Sequence, residues 1–134
     1  MVSLCGCGRE VTDDFIPIVS FAPIELNLSL PANNNLQLDG GSRALSGGVR
    51  GIIVYRINAS TYAAYERNCS YRPNEACATV DVHSSGFFMT DACCGSNFSF
   101  TDGTPTGGPA WRSLNRYRTQ VSGLTLTITD EVIN

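Results

Sequence analysis

Six cysteines stand in 134 residues, and four of them, Cys69, Cys77, Cys93 and Cys94, crowd into one stretch. Thiols so concentrated either pair into disulfides or converge as thiolates on a soft metal ion. Spacing weighs against a four-thiolate zinc site or a cysteine-only 2Fe-2S cluster. Structural zinc favours Cys pairs two to four residues apart, whereas Cys69 and Cys77 are further apart than that and Cys93 and Cys94 are adjacent. Neighbouring side chains on an extended backbone point to opposite faces, so both reaching one ion needs a special loop. Four cysteines allow three disulfide pairings, and spacing does not choose among them. The sole histidine, His83, sits in Asp81-Val82-His83-Ser84-Ser85-Gly86 and reads as an exposed turn residue between two short strands. No nucleophile motif accompanies it, so hydrolase chemistry has no constellation to rest on.

The elements that must position these residues read as short β-strands. Ile24 to Leu30 and Leu124 to Thr129 alternate apolar and polar residues, the pattern of a strand with one buried face. Gly51 to Ile57 is a continuous, β-branched apolar run suited to a strand buried on both faces, and Thr61 to Tyr65 is its expected hairpin partner. Glycine pairs at 40–41, 47–48 and 107–108 and Asp102-Gly103 mark turns, Ser122-Gly123 closes a tight hairpin, and Pro31 to Asn35 is a turn-rich loop. No segment sustains helical periodicity. The fold class is therefore all-β and mostly antiparallel, a sandwich or barrel.

With 43% hydrophobic residues the chain can build one sizeable core. Its basic residues, all nine of them arginine, are outnumbered by twelve acidic ones, which excludes the electrostatic footprint of a nucleic-acid binder. No apolar run is long enough for a membrane-spanning helix. Arg67, Arg72, Arg112, Arg116 and Arg118 flank the cysteines and the last strands. With Trp111, Tyr71, Tyr117 and Phe98 they offer either a contact surface or ordinary packing and pairing, and the second reading is preferred. Asn-x-Ser occurs at Asn27, Asn58, Asn68 and Asn97 and is read as chance.

Between the two strand pairs, Asn68-Cys69-Ser70-Tyr71, then Cys77, then Asp91-Ala92-Cys93-Cys94-Gly95-Ser96-Asn97-Phe98 resembles the two cluster-binding loops of the Rieske family. There the first loop runs Cys-x-His and the second ends in His-Gly-Ser-x-Phe or Tyr; Cys94-Gly95-Ser96-Asn97-Phe98 stands in the latter's place. Gly108-Pro109-Ala110, Leu114 and Tyr117 follow as in the family's closing loop and strands. The resemblance implies a Rieske-like antiparallel sandwich or barrel over residues 15–134. Two cysteine-bearing loops would form a small cluster-binding-type subdomain at about 66–112. A Rieske centre needs two thiolates and two imidazoles. Carried over residue by residue, Cys69 is kept, Tyr71 and Cys94 replace the histidines, and Asp91 replaces a thiolate.

The resemblance therefore implies a degenerate site with no cofactor, a 2Fe-2S cluster or zinc being the alternative. Some family members bridge their loops where Cys77 and Cys93 fall, which implies a Cys77–Cys93 disulfide and leaves Cys69 and Cys94 as a second pair. Leu4-Cys5-Gly6-Cys7 resembles the end of a bacterial lipoprotein signal, with lipid attachment at Cys7 and residues 1–14 as signal remnant and tether. The expectation is thus a non-enzymatic lipoprotein of the bacterial outer membrane, lipid-anchored on its periplasmic or cell-surface side. It would be a structural or interaction module whose partners are other envelope proteins. The alternative is a redox or electron-transfer protein with an atypical cluster or a reactive disulfide.

Overall fold

The computed structural model describes residues 15–134, so the expectations placed on 1–14, including lipid attachment at Cys7, lie outside the described residues. Among the described residues, ten strands form two antiparallel sheets. In the larger, β1 (Ile24–Asn27), β10 (Thr125–Val132), β9 (Arg116–Ser122), β4 (Thr61–Glu66), β3 (Ile52–Asn58) and β2 (Ser42–Leu45) follow one another in that order. The smaller is a meander of β5 (Asp81–Val82), β6 (Met89–Asp91), β7 (Ser96–Phe98) and β8 (Pro105–Gly107). It is inserted between β4 and β9, within the expected loop subdomain.

The apolar run at β3 explains how the two parts join. Side chains alternate faces along a strand, so a run without polar interruption must bury both. Ile53, with Ala63 and Tyr65 of β4, packs into a core with Cys69, Val80, Met89, Phe98 and Leu114, beneath the cysteine loops. Ile52 and Val54, with Tyr62 and Ala64, face the other way onto Leu36, Tyr117, Leu126 and Ile128. The β3–β4 hairpin is thus a wall shared by two cores, and the loops are built on one side of it.

Two expected elements differ. The alternation from Ile24 to Leu30 ends as a strand at Asn27, because Asn27 begins a turn: its Oδ1 accepts the Ser29 N–H at 2.9 Å and its carbonyl accepts the Leu30 N–H at 3.1 Å. A short 3-10 helix, Pro31–Gln37, then occupies the expected loop and buries Leu36. The hairpin at Ser122-Gly123 forms as expected, Ser122 pairing with Thr125 across a two-residue turn whose Gly123 has φ +59°.

Gly48 is required more strictly. At φ +64° its backbone lies against the end of β4, and a Cβ there would stand 2.8 Å from the Tyr117 hydroxyl and overlap Glu66 Oε1. Gly123→Ala meets only open space and should cost ~1 kcal/mol for its positive φ. Gly48→Ala must also displace a buried carboxylate and should cost ~2–4 kcal/mol. Urea unfolding of the two variants against the parent chain measures both.

Candidate metal centre

The first loop begins at Glu66, the last residue of β4, which no motif marked. Period two puts its side chain on the face of Ala64, which pairs with Tyr117 of β9, so the carboxylate lies diagonally within reach of that tyrosine. Fully buried, it accepts hydrogen bonds from the Val49 N–H at 2.8 Å, the Arg50 N–H at 2.9 Å, the Asn68 N–H at 3.0 Å and the Tyr117 hydroxyl at 2.5 Å. It thereby ties the glycine turn before β3, the β9 strand and the backbone next to Cys69. Burial, and then its bond to Glu66, hold the Tyr117 phenol above its ordinary value.

Arg50 carries the same organisation outward. Its guanidinium donates to the carbonyls of Pro73, Glu75 and Ala76 and to Thr79 Oγ1, at 2.8–3.3 Å, and so holds the far limb of the first loop. The loop's Ser70 hydroxyl donates to the Arg112 carbonyl at 2.6 Å, and Arg112 donates back to the Ser70 carbonyl at 2.9 Å. The second loop turns sharply: Asp91 Oδ1 accepts the Cys93 N–H at 2.8 Å and the Asp91 carbonyl accepts the Gly95 N–H at 2.8 Å. The Ala110 N–H donates to Ser96 Oγ at 3.0 Å. Gly108 touches the same turn so closely that a Cβ would lie 2.5 Å from Ser96 Cα. Residues 108–112 therefore strap both loops.

Cys77 and Cys93 form a disulfide between the loops, their Cα atoms 5.7 Å apart. The second bridge expected, Cys69 with Cys94, is not formed; both are free thiols. Asp91 stands with them instead: one donor atom each from Cys69, Asp91 and Cys94 lies within 4.8 Å of the others. Cys94 Sγ is 3.4 Å from Asp91 Oδ2 and 3.1 Å from Ser96 Oγ. Tetrahedral zinc sets neighbouring S and O donors roughly 3.5 Å apart, so little movement separates this group from a coordination shell. The expectation that the chain takes no cofactor is corrected by this constellation, which could hold a metal ion.

Burial pushes the Cys69 thiol well above its ordinary value; the Tyr71 N–H, 3.4 Å from its sulfur, pulls the other way, and the Asp91 carboxylate pushes it up again. A cation reverses that balance, since a coordinating thiol gives up its proton. Asp91 and Cys94 also line a cleft of about 280 Å³ with Tyr71, Arg72, Glu75 and Pro109, whereas Cys69 lies behind them.

The remaining candidates are structural. His83 Nδ1 is 2.9 Å from Ser85 Oγ, and its ring stacks on Phe88 in the β5–β6 turn. Arg67 donates to the Val80 carbonyl and pairs with Asp81, Arg116 donates to the Thr101 carbonyl, and Arg118 grips Glu131 through both carboxylate oxygens. Tyr117 and Phe98 are buried as preferred, but Trp111 is exposed, with the Arg112 guanidinium 4.9 Å over its ring.

No family model and no curated protein matches the chain. Solved structures do. A chain of the complex of reduced oxygenase and oxidized ferredoxin in carbazole 1,9a-dioxygenase superposes with a TM-score of 0.57 at 19% identity, over 83% of this chain and 97% of that one. The ferredoxin of carbazole 1,9a-dioxygenase from Nocardioides aromaticivorans IC177 gives 0.51 at 16% identity, over 85% and 98%. The fold is Rieske-like. The cyanobacterial plasma membrane Rieske protein PetC3 from Synechocystis PCC 6803 is 28% identical over 59% of this chain and 76% of its own, with a TM-score of 0.49.

A Rieske cluster with two imidazoles does not fit the donors that this Rieske-like frame presents. The group is two sulfurs and a carboxylate, and the sole histidine is engaged in the β5–β6 turn. Sequence comparison located the positions Cys69, Tyr71, Asp91 and Cys94. It placed Ser96 in the Cys-Gly-Ser motif without giving it a role and missed Glu66 and Arg50, of which only Glu66 left a trace, as a charge ending an apolar strand.

Two buried phenols give a pH signature. Tyr65, which donates to the Phe100 carbonyl at 2.6 Å, and Tyr117 are both raised by burial, so the folded chain keeps protons that the unfolded chain loses. Their contribution is whole below the ordinary tyrosine value of 10.0 and is lost as pH rises beyond it. Alkaline titration by tyrosinate absorbance should show at least two of five tyrosines ionising only with cooperative unfolding, and Tyr65→Phe and Tyr117→Phe should each remove one of them.

Proposed function

We propose that this Rieske-like domain binds a single divalent metal ion, zinc foremost, through Cys69, Asp91 and Cys94. The ion would staple the two loops into a non-enzymatic interaction module. The observation that carries this reading is the convergence of three donor atoms, drawn from both loops, within 4.8 Å. Two thiolates with one carboxylate suit zinc's borderline softness. Cys93 faces its disulfide partner and not the ion, which removes the objection from adjacent cysteines.

The setting proposed is the bacterial envelope, with attachment through Cys7 and other envelope proteins as partners. The Cys77–Cys93 disulfide supports an oxidising compartment, and the Leu4 to Cys7 residues support the anchor. A second reading, electron transfer through an atypical 2Fe-2S cluster, draws support from the fold shared with a ferredoxin.

Chelator competition on the natively purified chain tests the choice. Cys69→Ser, Asp91→Asn and Cys94→Ser should each weaken zinc at least about 100-fold, and Ser96→Ala, which removes the hydroxyl beside Cys94 Sγ and the acceptor of the Ala110 N–H, about 10-fold. His83→Ala should change nothing. Zinc affinity indifferent to all three ligand changes sinks the proposal. Iron with stoichiometric acid-labile sulfide establishes the second reading in its place.

A further inference from the structure

Three protein donors leave a tetrahedral ion one position short, the arrangement of zinc sites that accept an outside ligand. Where that position faces follows from which donors line the cleft. Cys69 and Asp91 are both buried, at 0% and 1% exposure, and Cys94 is half-buried, but only Asp91 and Cys94 form part of the cleft wall. The open side of the group is therefore the cleft, whose volume of about 280 Å³ is several times the share of one water, about 30 Å³.

Charge selects what can enter. Two thiolates and a carboxylate place three negative charges on a divalent ion, so the loaded centre is anionic overall. A further anion would be repelled where little water screens it. Two charged groups of opposite sign, Arg72 and Glu75, also line the cleft. Resting on the metal reading above, we infer that the cleft delivers a neutral nitrogen donor of the imidazole class to the open position of the ion. The occupant is a free small heterocycle or a histidine side chain of a partner.

Cobalt(II) tests this on the whole chain, with its disulfide intact and air excluded. Visible ligand-field bands must appear first; their absence overturns the metal reading itself. Given bands, free imidazole should shift them saturably, and thiocyanate at equal concentration should leave them unchanged. An N-acetylated histidine peptide that produces the same shift assigns the side-chain source, and free imidazole acting without it assigns the small heterocycle. Bands that ignore imidazole, or that respond to thiocyanate at lower concentration, overturn the inference. It also fails if Tyr71→Phe alone moves the bands, because the Tyr71 phenol would then already fill the position.

Discussion

The buried carboxylate of Glu66 is the constraint from which the rest of this structure follows. That carboxylate is met by three backbone N–H groups and one phenol. Hydrogen bonds to a buried carboxylate are stronger than neutral ones, and each donor left unpaired costs ~1–3 kcal/mol. One side chain thereby fixes the turn at 48–50, the start of the first cysteine loop and β9. Arg50 is drawn into place by the same contact, since its own N–H is one of the donors and its guanidinium then reaches the carbonyls of 73–76.

That frame holds two loops which sequence alone suggests have lost their purpose. The first loop is anchored from below by Glu66 and from its far limb by Arg50. The second is held by its own Asp91 turn and by the strap at 108–112. The Cys77–Cys93 disulfide crosses between them at the surface and, closing a loop of 16 residues, contributes roughly 3 kcal/mol. With the outer thiols paired, the inner ones remain free, and Asp91 brings a carboxylate between them. A hard donor beside two soft ones is a poor seat for an iron–sulfur cluster and a sound one for a borderline ion.

The strands were legible because alternation is a direct consequence of burial on one face, and the unbroken run at β3 because both faces are buried. Ile24 to Leu30 misled at its end, where Asn27 spends its side chain on a turn that alternation does not encode. The site was legible as positions and not as chemistry. Beside the ligands they replace, Tyr71 and Asp91 read as losses and Cys94 as half of a disulfide with Cys69. Their meaning lies in distances between residues separated along the chain, which the 4.8 Å group supplies. The role of Glu66 is not legible in the sequence because three of its four partners are backbone amides, which carry no residue type, and the fourth, Tyr117, is distant along the chain.

The ion proposed for this centre sits among two sulfurs and an oxygen. X-ray absorption at the metal edge of the natively purified, metal-loaded chain tests it most directly. The expected spectrum shows two sulfur neighbours at about 2.3 Å, lighter oxygen or nitrogen neighbours nearer 2.0 Å, and no second metal in the scattering. A metal–metal shell bridged by sulfide, or a shell without sulfur, would contradict it.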